Sequence, residues 1–165
     1  MASIRAVVVT VSDACSRGER ADQSGEDLVI YLRDMNVEIV DRKILSDDLD
    51  PLTFELRELA SRKDVNLIIT TGGTGLGPRD NTPEATSQVL EREAPGISEA
   101  IRAESLRHTP MGMISRGVAG ICSGTLIINL PGSPKAVRES FQVISPILNH
   151  SIDLISGNTT HSGSQ

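Results

Sequence analysis

Tryptophan is absent, and one tyrosine and two phenylalanines bring the aromatics to 2% of the 165 residues. Proteins that hold single-stranded nucleic acid rely on stacking bases against aromatic rings, so that class of ligand is excluded. Basic residues are also in short supply: sixteen Lys and Arg stand against twenty-two Asp and Glu, for a net charge of −6. Such a balance disfavours DNA and anionic membrane surfaces, so a phosphate-bearing ligand has to be held locally, by backbone amides and a cation. The two cysteines, Cys15 and Cys122, are too few for a disulfide framework or a cysteine-based zinc site and read as reduced thiols. No apolar stretch approaches the ~20 residues needed to cross a bilayer, and the opening MASIRAVVVTVSD reads as a strand and not a signal peptide. The expectation is a cytoplasmic protein with neither nucleic acid nor membrane as partner.

What is present is an ordinary globular composition, 38% hydrophobic and 23% charged, in a chain long enough to bury roughly 70% of its unfolded surface. One domain over residues 1–157 is expected, with NTTHSGSQ (158–165) as a disordered tail. Strands are expected at Arg5–Ser12, Val37–Leu45 and Leu67–Thr71. Between them lie helices from Gly25, capped by Ser24, and from Pro51, capped by Asp50. Strands alternating with helices of this length indicate β-α-β units, hence a largely parallel sheet covered on both faces. Pro95–Leu106 reads as a helix and HTPMGMISRG (108–117) as a Met-rich connection. Val118–Cys122 and Thr125–Leu130 flank Ser123-Gly124, which fits an antiparallel hairpin. After LPGSP, with Ser133 as cap, an apolar stripe from Val137 to Ile155 marks a long last helix, with a bend expected at Pro146.

The segment LIITTGGTGLGPRDNTPEAT (67–86) carries most chemical information. A buried β run leads into Gly72, Gly73, Gly75 and Gly77, where the backbone can approach a ligand closely and its amides can form an anion-binding hollow. Thr82 as cap and Pro83 at the first helical position place the positive end of a helix beside that hollow. Between hollow and helix, Arg79 can pair with phosphate as a planar fork, and Asp80 can hold a hard cation that bridges phosphates. Neither a P-loop nor a dinucleotide fingerprint fits, because no Gly-Lys-Ser/Thr follows and the glycine spacing is wrong. In parallel sheets ligands bind at the carboxyl ends of strands. Ser12 and Asp13, Ser46 to Asp48, and the glycine loop all satisfy that rule. Cys122 within Gly120–Gly124 imitates a nucleophile elbow, but it lies between two strands and reads as a packed small hydrophobe. His108, His150 and His161 share no metal-ligand spacing.

The strings GGTGLGPRDNTPEAT (72–86) and LIINLPGSPKAV (126–137), with TVSD, KILSDDLD, EREAPG and TPMGMISR in supporting places, resemble the molybdopterin adenylyltransferase family, which includes stand-alone bacterial proteins and the G domain of gephyrin. The resemblance runs from Val8 to about Ile155. It implies a three-layer α/β/α sandwich with a mostly parallel sheet and a C-terminal antiparallel hairpin, assembled as a homotrimer. It implies an enzyme of molybdenum cofactor biosynthesis that joins ATP to molybdopterin with Mg2+, giving adenylylated molybdopterin and pyrophosphate, with hand-off to a molybdenum-insertion protein. A non-catalytic pterin carrier or trimeric scaffold of the gephyrin type is the alternative. By the resemblance, Asp47 and Asp80 are the catalytic, metal-holding acids. Gly72, Gly73, Thr74, Gly75 and Arg79 receive phosphates, Ser12 and Asp13 form the first-strand edge, and Gly132 and Ser133 form the second ligand loop. Ser46 stands where relatives have proline, which leaves Asp48 open beside Asp47 as the loop acid.

Overall fold

The computed structural model describes residues 2–158. Four strands, β1 (Arg5–Val11), β2 (Glu38–Leu45), β3 (Leu67–Thr71) and β6 (Thr125–Leu130), run parallel, joined at one side by the antiparallel β5 (Ala119–Cys122) and the two-residue β4 (Arg92–Glu93). The order across the sheet is β2-β1-β3-β6-β5-β4.

Alternation along β1 sorts the chain into three layers. Ala6 and Val8 point to the face covered by α2 (Gln23–Asp34), α5 (Pro95–His108) and α6 (Pro134–Ile155), where Leu28, Leu32, Ile101, Phe141 and Leu148 are buried. Val7, Val9 and Val11 point the other way, onto α3 (Leu49–Ala60) and α4 (Thr82–Val89), where Leu52, Leu56, Leu59 and Ala85 pack. Period-two strands and period-3.6 helices therefore agree about which side is inside. The three-layer sandwich with its antiparallel hairpin is borne out. Ser123 (φ 51) and Gly124 (φ 79) make the hairpin turn, as positive φ at both central positions of a type I′ turn requires.

Differences from expectation lie at helix starts. The polar stretch after β1 contains a short helix, α1 (Asp13–Ser16), capped by Ser12. Helix α2 begins after Asp22, whose side chain accepts from Gly25 N–H at 2.9 Å, while Ser24, the expected cap, donates instead to the Gly132 carbonyl at 2.6 Å. Helix α3 starts at Leu49, so Asp50 lies in its first turn and does not cap it. Thr82 is the first residue of α4 and not its cap; its hydroxyl donates to the Gly72 carbonyl at 2.8 Å. Past α5, Pro110–Ile114 forms a 3-10 turn, and α6 continues through Pro146 as one helix. No described helix is long and apolar enough to span a membrane. The expected disordered tail, apart from Asn158, and His161 lie outside the described residues.

One polar cluster is sealed within the core. Asn129 of β6 donates to the hydroxyls of Thr70 (3.0 Å) and Thr86 (2.9 Å) and accepts from Val118 N–H at 3.1 Å, which fastens β3, α4 and the approach to β5. Replacing one member of such a network leaves the others buried without partners. Asn129→Ala is expected to cost roughly 2–4 kcal/mol of unfolding free energy, measured as a shift of the urea midpoint at unchanged slope; a loss below about 0.5 kcal/mol would show the network to be dispensable.

Candidate active site

The parallel strands all end at one edge, where a cleft of about 550 Å³ opens between the tips of β1, β3 and β6 and the start of α2. Two glycines make this convergence possible. Gly72 has φ +97 and Gly73 φ +65, and a Cβ on Gly72 would collide with the Val11 carbonyl of β1. A Cβ on Gly73 would meet the Thr82 hydroxyl and come within 3.0 Å of Asp47 Oδ1, while one on Gly132 would lie 3.2 Å from Gly72 Cα. Backbone thus touches backbone across three strand tips, with Asp47 pressed against the loop.

Ser12, Asp47, Gly72, Gly73, Asp80, Gly132 and Ser133 line the cleft, from strand tips distant in sequence. Gly72 N–H is committed to Leu130 O at 3.1 Å and extends the sheet, so it supplies shape and not a donor. Gly73, Gly132 and Ser133 N–H have no protein acceptor among the described residues. Ser133 also caps α6, accepting from Ala136 N–H at 3.2 Å.

The aspartates divide by environment. Asp47 is only 9% exposed. Its Oδ2 accepts from Asp13 N–H at 2.8 Å while its own N–H donates to Asp13 Oδ1 at 3.0 Å, a reciprocal pair that joins the tips of β1 and β2. Burial pushes the Asp47 carboxyl up from its ordinary pKa, and the neighbouring charges of Asp13 and Asp80 add to the rise, against the hydrogen bond from Asp13 N–H. Asp80 folds back over its own turn, Oδ2 accepting from Gly77 N–H at 2.8 Å. Asp48 is exposed and paired with Arg79, and it is not among the residues that line the cleft, whereas Asp47 is.

Asp13 and Arg79 stand behind this wall and do not line the cleft. Arg79 forks onto Asp13 through Nε and Nη2, both at 2.9 Å, and reaches Asp48 with Nη1 at 2.9 Å. The Arg79 guanidinium holds the Asp13 carboxyl down at about 2 and lowers that of Asp48 as well. The planar fork expected to face phosphate therefore braces the β1 and β2 tips. Thr74 and Gly75 likewise lie outside the cleft, their carbonyls taken by Arg116.

Three further residues enter the site. Arg20 is the one basic side chain among the described lining residues; it donates to the Ser12 hydroxyl at 3.0 Å and forms no ion pair with a described residue. Asp22 is buried in the cleft wall, accepting from Thr10 Oγ1 at 2.7 Å and Arg42 Nη2 at 2.7 Å. Ser24 ties α2 to the Gly132 loop. The Asp-x-Ser-Gly string at the start of α2 was the available signal for the last two. Cys15 also lines the cleft, and Cys122 is buried in the α3–α4 layer with no role there.

A family profile described as probable molybdopterin binding domain matches residues 7–150. This chain belongs to the molybdopterin-binding domain family. It is 38% identical over 160 residues to the molybdopterin adenylyltransferase of Helicobacter pylori, covering 96% of this chain and 91% of that one. It is 45% identical over 157 residues to the molybdenum cofactor synthesis protein cinnamon of Drosophila melanogaster, covering 94% of this chain but only 26% of that protein. The crystal structure of the molybdopterin biosynthesis enzyme MoaB from Thermus thermophilus superposes with a TM-score of 0.87 at 45% identity, covering 93% of this chain and 97% of that chain. The glycine loop and the β6–α6 loop, the two strings that carry the resemblance, meet at Gly72 and Gly132 and both line the cleft.

The charge state of Asp47 gives a stability test. A carboxyl whose folded pKa is raised binds more protons folded than unfolded, so its contribution falls as pH rises through that window. Asn at this position still accepts from Asp13 N–H and carries no charge. Asp47→Asn is therefore expected to match or exceed the wild-type melting temperature at pH 8, with the difference shrinking as pH falls below the Asp47 pKa. A large loss of thermal stability at pH 8 would contradict the assigned burial of charge.

Proposed function

We propose that this chain transfers AMP from ATP to molybdopterin with release of pyrophosphate, a step of molybdenum cofactor biosynthesis. The observation that carries the proposal is the meeting of Asp47 and Asp80 on one cleft with the uncommitted amides of Gly73, Gly132 and Ser133. The terminal phosphate of the pterin side chain is the nucleophile. Its oxygen forms a bond to the α-phosphorus while the bond from that phosphorus to the pyrophosphate oxygen breaks. A phosphate is already anionic at neutral pH, so the site needs no serine, cysteine or histidine base, only placement and charge neutralisation.

Each residue then has a task. Gly73 N–H, beside α4, and the Gly132–Ser133 amides at the start of α6 bind phosphate oxygens of the two substrates. Arg20 supplies a positive charge on the cleft wall that forms no ion pair with a described residue. Asp47 and Asp80 suit a magnesium ion, because each uses one oxygen on a backbone N–H and keeps the other without a hydrogen bond from described residues. Magnesium typically takes one or two carboxylates, substrate phosphates and water. Once bound it would neutralise the charge that develops on the leaving pyrophosphate. A bound cation would also relieve the repulsion from Asp13 and Asp80 that adds to the burial-driven rise of the Asp47 carboxyl.

The chain is further proposed to act as a homotrimer. Met111 and Met113 in the 3-10 turn are 62% and 70% exposed, with Leu106 and Ile114 beside them, a patch suited to a second copy. Analytical ultracentrifugation is expected to give three chain masses for wild type and a shift toward one for Met113→Glu.

Incubating protein with ATP, Mg2+ and molybdopterin and following pyrophosphate and the adenylylated pterin tests the reaction. Asp80→Asn is expected to lower kcat on the order of 10²–10³-fold; equal turnover would remove the role of that carboxylate. Arg20→Ala is expected to raise KM for ATP roughly tenfold with little change in kcat, the cost of one exposed charge-assisted contact. Wild type that binds pterin without turnover would mark a carrier.

A further inference from the structure

Arg116, outside the cleft, holds the segment that carries Asp80 at both ends. Its own N–H donates to Thr74 O at 2.8 Å. Its guanidinium donates through Nε to Gly75 O at 2.7 Å and through Nη2 to Asp80 O at 2.7 Å, and it pairs with the Glu84 carboxylate in the first turn of α4. Between Thr74 and Asp80 the backbone belongs to no helix or strand. Its internal ties are Asp80 N–H to Gly77 O at 3.0 Å and Gly77 N–H to Asp80 Oδ2 at 2.8 Å. These close the turn on itself but do not fix it to the fold. Arg79 reaches outward only through its side chain, to the β1 and β2 tips.

We infer that Arg116 is a positioning residue for Asp80: one guanidinium spans the two ends of the turn, ties them to α4 and so sets where the Asp80 carboxylate stands relative to Asp47. Arginine suits the task because its planar donors reach two carbonyls and a carboxylate at once, whereas lysine offers a single ammonium head. The Arg116 side chain is partly shielded, 34% exposed, which strengthens its contacts to these carbonyls relative to fully solvated ones. The catalytic part of the inference rests on the adenylyl-transfer reading; the geometric part does not.

Two measurements separate them. In the first, kcat is measured for wild type, Arg116→Ala, Asp80→Asn and the double variant. Arg116→Ala is expected to lose on the order of 10–100-fold in kcat and Arg116→Lys to recover part of it, while in the Asp80→Asn background Arg116→Ala costs nothing more. Equal losses in both backgrounds would reduce Arg116 to general structure and overturn the inference. The second is independent of any reaction: amide hydrogen exchange of Gly77, whose N–H is covered by the Asp80 carboxylate. Arg116→Ala is expected to speed that exchange at least tenfold with the β3 amides unchanged; unchanged Gly77 exchange overturns the geometric claim even if wild type makes no product. Should Arg116→Ala fail to fold, Arg116→Lys carries the same two readouts, with smaller expected changes in the same direction.

Discussion

The site depends on a backbone contact that only glycine permits. At Gly72 the chain leaves β3 with positive φ directly against the Val11 carbonyl, and Gly132 arrives from the other side so close that a Cβ there would lie 3.2 Å from Gly72 Cα. Everything that faces the cleft is arranged around that junction. The Thr82 hydroxyl closes on Gly72 O and fixes the start of α4, and the Gly73 Cα leaves room for the Asp47 carboxylate. A methyl group at Gly72 would press on the Val11 carbonyl of β1, and one at Gly73 on the Thr82 hydroxyl and the Asp47 carboxylate. In physical terms the protein gives up the conformational restraint of ordinary residues at this junction to let three loops from distant parts of the sequence share one small volume.

Charge is handled in two zones. Inside the cleft, Asp22, Asp47 and Asp80 face a single guanidinium, that of Arg20. Asp22 is neutralised within the wall by Arg42 and Thr10. Asp47 has no cation in contact among the described residues, and burial, with the charges of Asp13 and Asp80 added, pushes its carboxyl up. Behind the wall the one guanidinium of Arg79 is shared by the carboxylates of Asp13 and Asp48, which makes a bracket across the β1 and β2 tips. The bracket and the cleft share Asp13, whose backbone holds Asp47 while its carboxylate holds Arg79. Paired charge outside thus stands beside unpaired, buried charge inside, an arrangement common at functional sites.

How much was legible in sequence follows from how local each determinant is. The β1 and β3 runs, the stripes of α2, α3 and α6, and the Ser123-Gly124 turn are set by residues close in the chain, and they stand as expected. Strand β4 has two residues and exists through its pairing with Gly120 and Ile121, so no local pattern announces it. Capping was ambiguous where several polar residues compete. Asp22 wins over Ser24 because Ser24 is drawn away by Gly132, 108 positions distant. Arg79 was readable as a cation beside glycines, yet which anion fills its fork depends on where β1 ends, and that is a tertiary fact. Arg20 and Arg116 were hidden for the same reason: nothing in their immediate neighbours says that one reaches Ser12 across a turn or that the other grips a loop 36 positions earlier.

A reaction whose nucleophile is already charged asks little chemical ingenuity of side chains and much accuracy of the backbone. Positioning contributes to the barrier only if the reacting groups are held within a few tenths of an ångström, and loops do this poorly unless something outside fixes them. Here the fixing groups are guanidinium forks: Arg79 on the β1 and β2 tips, Arg116 on the glycine turn, Arg42 on the start of α2. Three of the chain's sixteen basic residues therefore hold loops that surround the cleft without lining it. In the proposed reading this is how an acidic protein suits a polyphosphate: these guanidinium groups hold its own carbonyls and carboxylates in place, while the cleft itself offers backbone amides, the Arg20 side chain, Asp47 and Asp80.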